Sequence, residues 1–259
     1  MALDLVLLAW MMTAPIMLLL WFVQRVQGNA VIGDVGFCIG FGLVSIGYGL
    51  LAQGNPTRQI LVAALGAIYA LRLGGHVFVD RVLGKPEDPR YQGLRRRWGS
   101  RAQAYFFLYF QGQAVAVVVF SLPLLVLMVN PATTFSFWEW AGVLVWAVGI
   151  VGEAVADGQL VRFRTDPLNK GKTCRQGLWR YSRHPNYFFE GVHWCAYVVM
   201  SIGVAYGWIT LVGPVFMIWA LLKVSGVPFA EAQALASRGD DYREYQRTTN
   251  VFIPWFPKK

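Results

Sequence analysis

Charge is scarce in this chain of 259 residues: 14% of its side chains are Asp, Glu, Lys or Arg, where an ordinary soluble domain has roughly 25%. Acids are scarcer than bases, 14 against 23, and histidines and cysteines number three each. Cys38, Cys174 and Cys195 show neither paired nor metal-ligand spacing, so a disulfide scaffold and a zinc framework are excluded and no metal site is expected. Repeats and low-complexity runs are missing as well, which excludes collagen, coiled coil and disorder. Apolar residues are plentiful instead, at 56%, with a mean hydropathy of +0.44. So few charges cannot cover the surface of a soluble fold this size. The composition is that of an all-α, polytopic integral membrane protein.

A helix needs about 20 apolar residues to cross a bilayer. Such stretches run over 3–23, 31–52, 59–83, 105–129 and 138–161. The first lacks the positive start and cleavage site of a signal peptide. A further stretch, 187–224, is long enough for two short helices joined near Gly203–Gly207. Seven transmembrane helices are therefore expected. Twenty-one of the 23 Lys and Arg residues fall on alternate loops, leaving Arg58 on the other side and Arg72 within a span. By the positive-inside rule this puts the N-terminus outside and the C-terminus in the cytoplasm. The host is then a bacterial inner membrane, or the endoplasmic reticulum in a eukaryote. The net charge of +9 is mostly this topology signal, and no nucleic acid partner is expected.

Ionisable groups inside hydrocarbon are costly and usually functional. Here they are Asp34, Arg72, His76, Glu153, Asp157, Glu190 and His193, and the topology puts all of them in the cytoplasmic half. A water-accessible cavity open to the cytoplasm accounts for that placement; a set of structural ion pairs is the alternative. Glu153, Asp157 and Arg164 share one helical face, as do Asn186, Glu190, His193 and Tyr197, and Tyr69, Arg72 and His76. Residues 176–187, Gln-Gly-Leu-Trp-Arg-Tyr-Ser-Arg-His-Pro-Asn-Tyr, carry a turn glycine and then Pro185, which suits the first turn of a helix. Free N–H groups at that helix start, with Arg180, Arg183 and His184 beside them, predict an anion site for phosphate or pyrophosphate. Arg162, Arg164 and Lys172 enlarge the same basic region. A basic loop resting on lipid head groups is the competing reading.

Leu178-Trp179-Arg180-Tyr181-Ser182-Arg183-His184-Pro185-Asn186-Tyr187, followed by Glu190, resembles the C-terminal domain of the steroid 5α-reductase family. That family is similar to the sterol C14 and C7 reductases and, more remotely, to the isoprenylcysteine carboxyl methyltransferases. Glu153 through Asp157 and the tail from Asp241 to Pro254 fit the same pattern, so the resemblance spans about residues 140–257. It implies a seven-helix reductase that takes NADPH from the cytoplasm and reduces the Δ4 double bond of a 3-oxo steroid or a similar apolar enone lipid. By motif, Asp157, Arg164, Asn186 and Glu190 match cofactor-contacting positions. Glu153 stands where the family often has an amide, and Lys223 where it often has arginine; Lys172, Arg180, Arg183, His184 and Tyr187 complete the implied cofactor region. The family's Gln-Glu pair on the second helix has no match here, where Asp34 is the only acid.

The whole chain, 1–259, is expected to form a single membrane domain, with 1–130 on the substrate side and 138–259 holding the cofactor. Conjugate reduction needs a hydride donor and an acidic group at the carbonyl oxygen, and a tyrosine tightened by a carboxylate can supply the latter. Tyr69, with Asp34 or His76, is the expected set. The substrate would enter laterally from the bilayer, among membrane lipids, into a protein expected to be a monomer. Two alternatives stay open: a methyltransferase of the isoprenylcysteine type using S-adenosylmethionine, and a transporter.

Overall fold

The computed structural model describes residues 2–258, and among them every regular element is helical. The chain divides into two compact units: one runs up to Phe135 and includes Gly203–Val212, and the other comprises Ser136–Ile202 and the chain from Gly213 onward. Segment 203–212 thus groups with the first unit although the chain on either side of it belongs to the second.

The first unit contains α1 (Ala2–Gln27), α2 (Ile32–Leu51), α3 (Pro56–Val77), α4 (Pro89–Trp98) and α5 (Ala102–Met128). Its chief pairings are α2 with α3 and α1 with α5, and α2 also packs on α1 and α5. Met17, Phe41, Phe106, Phe110, Leu124 and Leu127 are fully buried among them. The start of α3 is set locally, because Asn55 accepts from the Arg58 N–H at 3.1 Å and Pro56 needs no partner at the first turn. Arg58 itself is 1% exposed. Its guanidinium donates to the carbonyls of Asn130 (3.0 Å), Ala132 (2.7 Å) and Thr134 (3.0 Å). Arg58 therefore ties down the loop that follows α5. A π-helical turn, Phe78–Val82, leads from α3 toward α4, and a 3-10 turn, Gly207–Leu211, packs against α5.

The second unit is built on α6 (Phe137–Thr165) and α7 (Pro185–Met200), followed by α8 (Val212–Trp219, its first residue counted with the other unit), α9 (Val227–Arg238) and α10 (Asp240–Thr248). A capping box opens α6: Ser136 Oγ accepts from the Glu139 N–H at 3.2 Å, and the Glu139 carboxylate accepts from the Ser136 N–H at 2.7 Å. Helices α6 and α7 run antiparallel and lie very close. A Cβ on Gly149 would sit 2.6 Å from the His193 backbone nitrogen, and one on Gly152 would run into the Phe189 ring. Small residues permit such approach between apolar helices, where dispersion rather than water drives packing.

Among the described residues, six helical stretches are long and apolar enough to cross a membrane: Leu3–Gln27, Ile32–Leu51, Pro56–Val82, Pro89–Met128, Phe137–Thr165 and Gly207–Arg238. The expected break in 187–224 lies where α7 ends at Met200 and Tyr206 turns left-handed at φ 59°. Helix α7 has 16 residues, about 24 Å of rise, short of the roughly 30 Å hydrocarbon core.

Candidate functional site

In the second unit the polar faces of α6 and α7 meet along their seam. Asn186, in the first turn of α7, donates from Nδ2 to Asp157 Oδ1 at 3.1 Å. The register that pairs these two also sets Gly149 against His193, so Glu153 and Glu190 occupy the same level between them. All three acids are buried. Glu190 accepts from the Trp194 indole N–H at 2.8 Å, and His193 Nε2 lies 3.2 Å from the Tyr197 hydroxyl, one turn deeper. The Asn186 side-chain oxygen is buried and accepts no hydrogen bond among the described residues. Helical spacing accounts for this arrangement: each set recurs every three or four residues, and each faces the other helix.

The head of α7 is held by main-chain and aromatic contacts. Trp179 donates from its indole to the Ala156 carbonyl at 2.9 Å, and Gln159 accepts from the Leu178 N–H at 2.9 Å. Tyr245 reaches from α10 to the carbonyls of Trp179 and Ser182. The His184 ring stacks on Tyr187, centroids 5.3 Å apart and planes 5° off parallel.

Two residues expected at the phosphates are engaged otherwise. Arg183 Nε donates to Glu231 at 2.7 Å, and its Nη1 donates to the carbonyls of Gln246 (3.0 Å) and Thr249 (2.7 Å) at the end of α10. His184 Nε2 lies 3.3 Å from the same Glu231 oxygen, and Gln246 donates to the other oxygen at 2.7 Å. Burial holds the His184 pKa below the ordinary histidine value, although Glu231 pulls it back upward. Arg164, Lys172, Arg180 and Lys223 are solvent-exposed, on the last turn of α6, the following loop, a 3-10 turn and the π-turn after α8 respectively. Of the expected anion site, Lys172 and Arg180 are accessible to a ligand.

The first unit holds a second polar cluster. Asp34, in the first turn of α2, accepts from the Tyr91 hydroxyl at 2.6 Å. The Tyr91 and Tyr109 hydroxyls are 2.9 Å apart. Gln113 donates to the Tyr109 hydroxyl at 3.0 Å and approaches Asp34 at 3.4 Å. Arg90 lies 3.7 Å from Asp34 and makes a two-point pair with Asp88, at 3.0 and 3.2 Å. Tyr69 is buried, its ring edge-on to Phe41 at 5.6 Å; Phe41 is two turns along α2 from Asp34. His76 is half-buried in the last turn of α3. The phenol that takes Asp34 is therefore Tyr91. Sequence reasoning passed over Tyr91 and Arg90 because they sit in a loop read only for its charge. Asp34, an acid in an apolar stretch, and Gln113, an amide in another, are the sequence signals for this cluster.

A bundle of apolar helices with buried carboxyl, amide and phenol groups defines the class: an all-helical protein of the multi-pass membrane type. The chain belongs to the family described as "Protein of unknown function (DUF1295)", whose model matches residues 20–249. A 66-residue stretch is 36% identical to the probable O-methyltransferase ustE of Ustilaginoidea virens, covering 26% of this chain and 23% of that protein. This chain therefore matches under a quarter of that relative's length. No solved structure matches it.

Proposed function

We propose that the protein is an NADPH-dependent membrane reductase of a conjugated C=C bond in an apolar enone lipid, a 3-oxo-Δ4 steroid or a similar molecule. The carrying observation is the seam of the second unit, where an amide oxygen without a hydrogen bond lies beside the Asp157 carboxylate with Glu153 and Glu190 one turn further in. Such a set fits a ligand rich in O–H and N–H donors, as the riboses and carboxamide of a nicotinamide nucleotide are. Asn186, Asp157, Glu153 and Glu190 would hold those groups, and Arg164, Lys172, Arg180 and Lys223 would meet the phosphates. Arg183 and His184 act indirectly, by fixing the head of α7 on which Asn186 stands. Bound there, the nicotinamide supplies the hydride. The resemblance of residues 178–190 to the steroid 5α-reductases supports this reading. In the first unit, the Asp34–Tyr91–Tyr109 cluster is the better candidate for holding a proton at a phenol oxygen, in place of Tyr69 and His76. The proposal includes seven spans, with α7 as the short sixth, and a cytoplasmic C-terminus.

A second reading has its own support. The relative over 66 residues is named a probable O-methyltransferase, and two of the expected phosphate ligands are occupied by Glu231 and main-chain carbonyls. S-adenosylmethionine, which has no phosphates, would then take the same carboxyl-rich seam. Mass spectrometry of the purified protein distinguishes the two: NADP(H) is expected, and copurifying S-adenosylmethionine overturns the reductase reading. Asn186→Ala and Glu190→Ala should each weaken NADPH binding tenfold or more, about 1.4 kcal/mol. Unchanged affinity in folded variants removes the seam from cofactor binding.

A further inference from the structure

Residues 250–258 form no helix, yet their backbone is fixed. The Arg183 N–H donates to the Asn250 carbonyl at 2.8 Å, and the Trp255 N–H to the Tyr181 carbonyl at 2.9 Å. Ser182 Oγ donates to the Phe252 carbonyl at 2.7 Å, and the Lys258 N–H to the Thr248 carbonyl at 2.8 Å. The Phe252 ring meets Phe188, and the Phe256 ring meets Tyr181. Pro254 and Pro257 lack N–H donors and keep the segment from joining a helix. On this pinned backbone Ile253, Trp255 and Phe256 are 62%, 65% and 73% exposed. Large apolar groups displayed by a rigid segment mark a surface that something covers.

Two features identify the cover. The segment is anchored to 181–183, just ahead of α7, and so lies at the end of the unit where α6 finishes and α7 begins, the depth at which an apolar helix pair meets head groups. That end is also basic: 167–189 carries five Lys or Arg and no acid, and Arg247 and Lys258 are exposed on the tail itself. Trp favours the head-group layer, Phe and Ile bury at the acyl boundary just beneath it, and flanking cations favour anionic lipid. We propose that Ile253, Trp255 and Phe256 form an interfacial foot that docks the second unit onto an anionic phospholipid surface, with Arg247 and Lys258 on the lipid phosphates. This rests on the membrane character of the helices and not on the cofactor assignment.

The test uses the full-length protein in lipid nanodiscs, with a nitroxide on Trp255→Cys and a reference label on the exposed Asp240→Cys. Cys38 and Cys174 are buried and react little, and the half-buried Cys195 is replaced by serine in both labelled variants. In phosphatidylglycerol-containing discs the label at 255 should favour collisions with oxygen over those with a nickel chelate several-fold more than the label at 240. Arg247→Glu with Lys258→Glu should abolish the dependence on phosphatidylglycerol while leaving the melting temperature in neutral-lipid discs unchanged. Quenching by brominated lipid, compared between the unmodified protein and Trp255→Phe, gives an independent measure if labelling disturbs folding; a Trp255 share of the quenching is expected. Equal nickel accessibility at 255 and 240 in every lipid overturns the proposal. So does protection of residue 255 in native membranes but not in discs, which would assign the foot to a protein partner.

Discussion

Arg183 satisfies one carboxylate and two carbonyls at the close of α10, and His184 is shielded from water between Tyr187 and Glu231. The pH consequence follows from His184, whose folded pKa lies below that of the unfolded chain, near 6.5. The folded state then prefers the neutral ring, so its contribution is fully present above pH 6.5 and lost as the pH falls below it. The melting temperature of the protein should fall as the pH drops below about 6.5, and His184→Asn should flatten that part of the profile. Asp241 responds in a lower range. Burial raises its pKa, but the Thr173 N–H at 2.7 Å and Arg175 at 2.9 Å outweigh that and hold it down. At the other polar cluster, Tyr91→Phe deletes the hydroxyl that donates to Asp34. If that phenol serves the proposed reduction, turnover should drop about 10²–10³-fold with NADPH affinity retained. Tyr69→Phe should cost far less, and the reverse ranking in an enone reduction assay would return the role to Tyr69.

At the level of elements, the long helices were legible because a run of about 20 apolar residues is a signal in itself. The break near residues 201–206 was legible too, since Gly203 takes a positive φ. Helices α4, α9 and α10 were not separated from loops, because their residues had been counted only as loop charge. Pairings distant in sequence escaped for a different reason: Asp34 and Tyr91 are 57 residues apart, Arg183 and Glu231 48. Periodicity places residues on a face and says nothing of which element covers it. The Asp157–Asn186 pair is nearer to legible, since spacing puts each residue on a polar face and leaves only the register between the two helices open. That register depends on Gly149 and Gly152. Gly149→Leu would drive a side chain into the α7 backbone and should destabilise the protein by about 1–3 kcal/mol, read as a lowered melting temperature. An unchanged melt would mean that the helices part without penalty.

At the scale of the whole molecule, the uneven distribution of Lys and Arg is the strongest statement the chain makes about its setting. Under the proposed seven-span topology, cysteines introduced into 81–104, 162–185 and the tail should all label from the cytoplasmic side only. Labelling of any of the three from the opposite side rejects the arrangement. The grouping of Gly203–Val212 with the first unit carries a consequence for how the molecule is made. At roughly 5–20 residues per second, a ribosome that has finished α5 needs about 4–16 s more to reach the Gly207–Leu211 turn. Until then the face of α5 that receives this turn has no native cover, and the nascent first unit is an incomplete bundle awaiting a piece encoded far downstream. Chains stalled or truncated before residue 207 should therefore be recognised by membrane proteases as unfinished, even though every long helix of that unit has already been synthesised.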